Sequence, residues 1–296
     1  MLESRNPLDK NFNTSDDKAL VRKALDGSRK ALNELLETHN MFIYNISIKM
    51  IGDIEQAKDL TQDILVKITA NLSKYNPEKG EFRSWLYRMA FNHILDHKKS
   101  STEKKIKSFS ELFQTLDQMV DEPLSEETGF LDDNHPYTNE VKVKCTSGML
   151  MCLSREQRLL YIIGDLFQID HNLGAEIFDI SKENFRKKLS RTRKELHQWM
   201  HNKCGLVNKD NPCRCAKKTK GFIERGVVDP NNLVWNKKFK HKIEAFSSKR
   251  LTELQLSSDD IYQKLYLEHP MREPKTADEV LSTVLGDKNL REMLDI

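Results

Sequence analysis

The sequence predicts an all-α fold, and three observations support that prediction. Apolar residues recur at helical spacing, no alternating run typical of a strand recurs between turn signals, and the 296 residues include only 11 glycines and 8 prolines. The length favours about two domains. No apolar run approaches the roughly 18 residues of a membrane span, and the N-terminal residues lack the apolar core of a signal peptide. An odd number of cysteines, 5 in a chain of this length, does not indicate a disulfide scaffold. We therefore expect a reduced, cytoplasmic protein that does not enter a membrane.

The first elements predict an N-terminal helical bundle over residues 15–100, after a loose leader at 1–14. Ser15 is the predicted cap of a first helix, DDKALVRKALDG, and a second helix follows in SRKALNELLETHNMFIYNISIKMIG. Asp53 and Gln56 have the spacing of a capping box at the start of the third helix. The turn YNPEKG then leads into a fourth helix, EFRSWLYRMAFNHILDHKKS.

Two faces of this bundle carry polar side chains at helical spacing. Asp59, Gln62 and Asp63 share one face of the third helix, either as an ordinary solvated acidic surface or as a docking site for a basic partner. On the fourth helix, Trp85, Arg88 and Asn92 share a face that could stack unpaired bases and hold a nucleic-acid backbone. The alternative for that helix is that Phe82, Trp85 and Tyr87 are core aromatic residues of the bundle.

Charge divides the rest of the chain. Residues 108–141 contain nine acidic side chains and neither Lys nor Arg, and we interpret 101–141 as an acidic linker. Residues 182–220 contain thirteen basic side chains against three acidic ones. This asymmetry predicts a nucleic-acid surface joined to an acidic connector, and the alternative is a solvated face beside a disordered connector.

Residues 142–200 have the spacing of a helix–turn–helix. LSREQRLLYIIGDLF and DHNLGAEIF precede a tight turn at Asp179–Ile180, and a strongly basic helix capped by Ser181 follows. Its anchors are Phe185, Leu189 and Leu196. The predicted DNA-facing front is Lys182, Glu183, Asn184, Arg186 and Lys187, with Lys188, Arg191 and Arg193 suited to phosphates. The alternative is an amphipathic helix that docks on its own domain.

The sequence gives little support for catalysis, since it has no phosphate-cradling glycine loop, nucleophile elbow or metal-spaced pair of histidines. We therefore predict no enzyme, no catalytic residue and no committed metal or cofactor. A structural zinc ion held by Cys204, Cys213 and Cys215, with His201 as a fourth ligand, is left open beside fortuitous thiols. Residues 201–296 form this basic, Cys-containing loop and a helical extension of unknown role.

The order of these segments resembles bacterial RNA polymerase sigma factors of the extracytoplasmic-function type. The residues from DKALVRKALDG to FNHILDHKK resemble the polymerase-binding domain of that family. The residues LSREQRLLYIIGDLFQIDHNLGAEIFDISKENFRKKLSRTRKEL resemble its second, promoter-reading domain. The two segments cover about 130 residues and occur in the family's order.

The resemblance implies a role for each surface. Asp59, Gln62 and Asp63 would dock on the clamp helices of the β′ subunit of core RNA polymerase. The fourth helix would open and read the minus-ten element of melted promoter DNA, with residues Phe82, Arg83, Trp85, Arg88 and Asn92. The basic helix would read the double-stranded minus-thirty-five element, and an anti-sigma factor is a possible further partner.

Two positions depart from the family pattern. Asp179 stands where these proteins usually have glycine, and we expect the turn to survive because Asp tolerates a left-handed backbone. Gly174 replaces a residue that is usually a packed aliphatic, which predicts a weaker first helix of the pair. The main rival function is a free-standing helix–turn–helix regulator that binds DNA without polymerase.

Overall fold

The structure is a computed structural model that describes residues 6–106, 108–122, 135–235, 261–263, 265–266 and 274–286. Helices account for all the regular structure in these residues, and no strand occurs among them, which confirms the all-α prediction. The helices are α1 (Thr14–Leu25), α2 (Arg29–Ile51), α3 (Ile54–Ala70), α4 (Phe82–Asp96), α5 (Ser101–Lys105), α6 (Phe109–Asp117), α7 (Pro136–Cys152), α8 (Arg155–Tyr161), α9 (His171–Ile177), α10 (Lys182–Lys203), α11 (Cys215–Glu224) and α12 (Pro274–Gly286). A 3₁₀ turn occupies Leu72–Lys74 and a π-helical turn occupies Ile162–Leu166.

The chain divides into two compact units whose boundaries differ from the predicted ones. The first unit is drawn from residues 1–104, 154–192 and 271–296, and the second from residues 105–153 and 193–270. The N-terminal bundle and the start of the predicted helix–turn–helix therefore belong to the same unit. The functional division into 15–100, 101–141, 142–200 and 201–296 stays a prediction.

The N-terminal bundle of the first unit is built around α2, which packs on α1, α3 and α4. Leu35, Ile43, Leu60 and Leu86 are fully buried, as their helical spacing predicts. The Asp53 carboxylate accepts the Gln56 amide at 3.0 Å and caps α3, which confirms that part of the predicted helix start.

The beginning of the chain is more ordered than predicted. The cap of α1 is Asn13, not Ser15, because the Asn13 side chain accepts the Ser15 amide. Leu8, in the supposed loose leader, is fully buried, and its carbonyl accepts the Asp170 amide at 2.9 Å. The Asn6 side chain donates to the Phe167 carbonyl at 2.7 Å. These bonds satisfy polar groups that would otherwise be buried without partners, and they fix the backbone path of residues 6–12.

The predicted helix–turn–helix is formed by α9 and α10. Asp179, in the turn, has a φ of 54°, so it adopts the left-handed conformation expected of it. The Ser181 hydroxyl accepts the Asn184 amide at 3.2 Å and caps α10 as predicted.

Gly174 lies against the aromatic anchor of α10, and the predicted weakening of α9 stays a prediction. A Cβ atom at this position of α9 would lie 2.6 Å from the ring of Phe185, the fully buried anchor of α10. The absence of a side chain at Gly174 makes room for the aromatic ring of Phe185. The contact between α9 and α10 is therefore made by an aromatic residue of α10 and not by an aliphatic residue of α9.

The second unit contains α6, α7, α11 and the second half of α10. Trp199 stacks on Phe109 and Phe113, with ring centroids 5.7 and 5.8 Å apart. The buried Glu140 carboxylate accepts the amides of Val234 and Trp235 at 3.1 and 3.0 Å. The predicted linker, 101–141, thus includes α5, α6 and the start of α7, because Phe109, Phe113 and Leu116 form a buried helical stripe that its acidic composition conceals. Its residues 123–134 lie outside the described part of the chain.

The C-terminal extension contributes α12 to the first unit, where it packs on α2 and α3. Ala277, Val280, Leu281 and Val284 are its buried stripe, and the Ala277 carbonyl accepts the Asn40 side chain at 2.6 Å. Residues 261–263 and 265–266 are also helical, while most of the helical patterns predicted near 235–250 and 257–268 lie outside the described residues. None of the described helices has the length and apolar character needed to cross a membrane.

Candidate nucleic-acid interface

The predicted docking face on α3 is open to solvent. Asp59 and Asp63 are exposed and Gln62 is half-buried. Leu60 and Ile64, on the opposite side of the helix, are fully buried and fix its orientation. The three polar side chains therefore form one accessible acidic surface, as their spacing predicts.

The aromatic face of α4 is a supported platform. Trp85 is half-buried, and its ring lies 5.7 Å from that of Phe82 and 5.8 Å from that of Tyr75. The Tyr75 hydroxyl donates to the Gly80 carbonyl at 3.1 Å, which closes the turn before α4. Tyr75 was not among the predicted site residues, although an aromatic residue flanking that turn was visible in the sequence. The exposed part of the Trp85 ring is a surface on which a base can stack.

Two of the five predicted minus-ten residues lie inside the protein. Phe82 is 1% exposed and Arg83 is 8% exposed. The Arg83 guanidinium donates to the Glu81 carboxylate at 2.8 Å and to the Asp9 carbonyl at 2.7 Å. Both side chains hold α4 and its surroundings in position and present no surface to DNA in this state.

The other polar members of the α4 set are exposed. Asn92 and Arg88 both reach the surface, and the Arg88 guanidinium donates to the carbonyl of Glu176 in α9. Tyr87, like Phe82, is buried. The two interpretations of this helix therefore apply to different residues, because Phe82 and Tyr87 are core while Trp85, Arg88 and Asn92 lie on an outer face.

The front of α10 is basic and accessible. Phe185, Leu189 and Leu196 are buried as predicted, so this helix does pack on its own chain through one face. The opposite face exposes Lys182, Glu183, Asn184, Arg186, Lys187 and Arg191, whereas the other two phosphate-binding candidates, Lys188 and Arg193, are half-buried. Nε of Arg186 donates to Nδ1 of His171 at 3.1 Å, and Lys187 pairs with Glu183 at 2.6 Å. Such exposed contacts contribute little stability and can be exchanged for DNA contacts.

The cysteine loop is folded without a metal-binding group among the described residues. Cys204 is buried, and burial raises its pKa to about 11. Burial, together with the neighbouring thiols including Cys204 and Cys215, also raises the pKa of Cys145 well above its usual range. In the part of the chain that the structure describes, no three potential His, Cys, Asp or Glu ligands come together closely enough to hold a metal ion. The raised values describe protonated, unreactive thiols.

Comparison with known proteins shows what part of the bundle is similar to. Residues 35–103, from α2 to α5, match the model of sigma-70 region 2. The RNA polymerase sigma factor SigW of Bacillus subtilis, of the extracytoplasmic-function type, is 24% identical over 79 residues, which are 27% of this chain and 42% of SigW. SigE of Mycolicibacterium smegmatis is 31% identical over 64 residues, 22% of this chain and 24% of that protein. SigK of Mycobacterium bovis is 25% identical over 83 residues, 28% of this chain and 44% of that protein.

The all-α bundle thus contains a segment that matches sigma-70 region 2. The relatives that this segment resembles are sigma factors of the extracytoplasmic-function type. The matched segment spans less than half the length of each of these relatives.

Proposed function

We propose that this chain binds core RNA polymerase and directs promoter-specific transcription initiation. It would act as a cytoplasmic binding protein with no catalytic activity of its own. The observation that carries the proposal is the region 2 match over a bundle that exposes the acidic face of α3 and the aromatic face of α4 together.

The acidic face of α3 is suited to polymerase. Asp59 and Asp63 are exposed, lie one turn apart and are backed by a rigid apolar core, so they can meet basic side chains without rearrangement. We propose that Asp59, Gln62 and Asp63 contact the clamp helices of the β′ subunit.

The two DNA surfaces are suited to different forms of promoter DNA. Trp85 offers a stacking surface beside Arg88 and Asn92, which favours unpaired bases of a melted minus-ten element. Phe82 and Arg83 would position this surface from inside the bundle. The exposed front of α10 favours the major groove of a double-stranded minus-thirty-five element, where Arg186 would read guanine.

The decisive experiment is capture of purified core RNA polymerase by the full chain, followed by run-off transcription from a promoter library. We expect binding and promoter-dependent transcripts. A folded chain that ignored polymerase yet bound duplex DNA specifically would instead be a free-standing regulator.

Charge reversal tests the polymerase surface. Asp63→Arg places a cation where a basic partner docks, so we expect loss of polymerase capture with unchanged helicity. Glu34→Arg is the matched control, since Glu34 is an exposed acid on α2 of the same bundle. Equal loss of capture in both variants would contradict the assignment to α3.

Base reading is tested separately. Arg186→Ala should change which promoters are used, with a loss of about 1–3 kcal/mol at one base pair, while polymerase capture stays intact. Arg22→Ala, which removes an exposed cation from α1, is the control for net charge. An unchanged promoter preference would refute base reading by Arg186.

A further inference from the structure

Residues 117–122, at the end of α6 and just after it, lie against the basic residues 203–220 inside the second unit. The buried Lys218 of α11 donates to the Met119 carbonyl at 3.2 Å. A Cβ on Gly221 would lie 3.0 Å from the Met119 side chain, so the two backbones approach closely at this point. Residues 117–122, which we call the acidic segment, are therefore held in place on α11.

Two exposed ion pairs cross this contact. Asp117 pairs with Lys203, at the end of α10, with 3.5 Å between Oδ2 and Nζ, and Lys220 donates to the Glu122 carboxylate at 3.0 Å. The side chains of Asp117 and Glu122 are 66% and 67% exposed. Exposed pairs of this kind contribute little stability, so little free energy is lost when an anion from outside the chain replaces either carboxylate.

The residues that the acidic segment contacts carry a large excess of positive charge. Residues 201–227 contain seven Lys or Arg side chains and two acidic ones. Lys217 is exposed and lies three positions before Lys220, so these two lysines share one face of α11. We call Lys203, Lys217 and Lys220 the basic surface. Its charge exceeds what the two carboxylates can neutralise, and this favours binding of a polyanion.

The chemistry of the basic surface suits the phosphates of a nucleic acid and not its bases. Lysines act as point charges on a phosphate backbone, whereas guanine is read by the fork of an arginine. The fork of the neighbouring Arg214 donates to three carbonyls of its own loop. Within residues 201–227 the single Phe, Tyr or Trp is Phe222, which is buried, so this stretch offers no aromatic platform for unpaired bases. The backbone of duplex DNA is therefore the favoured ligand.

We propose that the basic surface is a sequence-independent binding site for the backbone of duplex DNA, and that carboxylates of the acidic segment take the place of phosphates when DNA is absent. This site lies outside both the region 2 match and the reading front of α10. It would serve a free-standing regulator as well as a sigma factor, so it goes beyond the proposed function. DNA and the acidic segment compete for the same lysines, and the affinity for DNA depends on how firmly the carboxylates hold them.

The first test removes the two exposed carboxylates from the full chain and measures its affinity for a short, fluorescently labelled duplex of random sequence. Asp117→Asn combined with Glu122→Gln should bind about tenfold more tightly, with about threefold from each pair released. Glu34→Gln combined with Glu37→Gln removes the same charge from exposed positions of α2 and is the matched control. The control should gain about twofold at most, because its carboxylates do not compete with DNA for the basic surface.

The second test removes lysines and follows the salt dependence. Lys203→Ala combined with Lys220→Ala should weaken binding and lower the slope of log affinity against log salt concentration by about two, since each phosphate contact contributes about one. Arg22→Ala combined with Lys23→Ala removes two exposed cations from α1 and should leave the slope nearly unchanged. In the background without both lysines, the two carboxylate substitutions should gain no more than their α2 control does.

Equal gains in the carboxylate variant and its α2 control would overturn the proposal, because net charge alone would then explain the tighter binding. An unchanged salt slope without Lys203 and Lys220 would also overturn it. Tighter binding of single-stranded DNA but not of duplex would assign the surface to an unpaired strand and refute the duplex assignment. The side chains changed at the contact are 36–67% exposed, so these variants should fold as the wild type does. Failure to capture polymerase would refute the proposed function and leave these measurements valid.

Discussion

Substitutions at Gly174 and Phe185 test whether these two residues are closely packed. The effect of Gly174→Ala on the free energy of unfolding should change sign when the ring of Phe185 is removed. In Gly174→Ala, the new Cβ would lie 2.6 Å from the ring of a side chain that is fully buried, so the ring must move. Overpacking of this kind costs about 1–3 kcal/mol. Ala in a helix interior is favoured over Gly by about 1 kcal/mol. We therefore expect a net loss on the order of 1 kcal/mol.

The effect of Gly174→Ala on stability should become favourable when the ring of Phe185 is removed. In a Phe185→Leu background the clash disappears and the helix propensity of Ala remains, so Gly174→Ala should stabilise by up to about 1 kcal/mol. The two substitutions would then be coupled by about 2 kcal/mol, well above the deviation expected of independent sites. Urea unfolding of the four proteins, followed by far-ultraviolet circular dichroism and by hydrogen exchange in α9, measures this coupling.

Gly286→Ala is the control for helix propensity, because a Cβ there meets nothing within 4 Å. It should be neutral or slightly stabilising in every background. If Gly174→Ala stabilises the wild-type chain as much as Gly286→Ala does, the ring of Phe185 moves without cost and the close-packing argument is wrong.

Substitutions at three further positions have expected outcomes. Asp179 has a φ of 54°, which glycine adopts without strain and which a β-branched residue disfavours. In thermal melts, Asp179→Gly should therefore stabilise the protein by about 1 kcal/mol, and Asp179→Val should destabilise it by more than that. Equal melting temperatures of the two variants would show that the backbone at this position is not strained. Burial lowers the pKa of Lys49 from 10.5 to about 7, so the unfolded state binds more protons between these values. Relative to Lys49→Met, the stability of the wild type should therefore rise on the order of 1 kcal/mol per pH unit from about pH 7 to 10.5, measured by urea midpoints, and parallel pH profiles would contradict this. Burial would raise the pKa of Glu103, but hydrogen bonds from Arg155 and Ser100 outweigh it and lower that pKa below 4.5. The stability that the Glu103 carboxylate contributes should be complete above its pKa in the unfolded state and should be lost as the pH falls through its lowered pKa in the folded state. In Glu103→Gln, urea midpoints should no longer show this loss of stability at acid pH.

Local signals predicted local structure well. The cap at Asp53, the cap at Ser181 and the left-handed turn at Asp179 each depend on residues within four positions of one another, so the sequence alone specifies them. The polar face of α3 was predictable for the same reason, because one helical period determines which side chains lie together.

Long-range contacts were not predictable from the same signals. Arg83 carries the charge expected of a DNA contact, but a carbonyl 74 residues away in sequence, at Asp9, engages it inside the protein. Arg155 and Arg158 read as ordinary helix residues until Glu103 is seen beside them. Gly174 was interpreted as a loss of packing because its partner, the ring of Phe185, belongs to another helix. Each of these cases depends on tertiary packing, which overrides propensity and composition.

The position of α12 has a consequence for the order in which the molecule is made. The Asn40 side chain donates to the Ala277 carbonyl, 237 positions later in the chain, so α2 and α3 receive one of their packing partners from a segment that is made much later. A ribosome that has finished α4 must add roughly 190 more residues before α12 exists, which takes about 10–40 s at bacterial rates of synthesis. During that interval the nascent bundle carries an uncovered α2–α3 surface. Production of this protein should therefore be sensitive to the supply of chaperones that shield such surfaces, and to changes in translation rate downstream of α4.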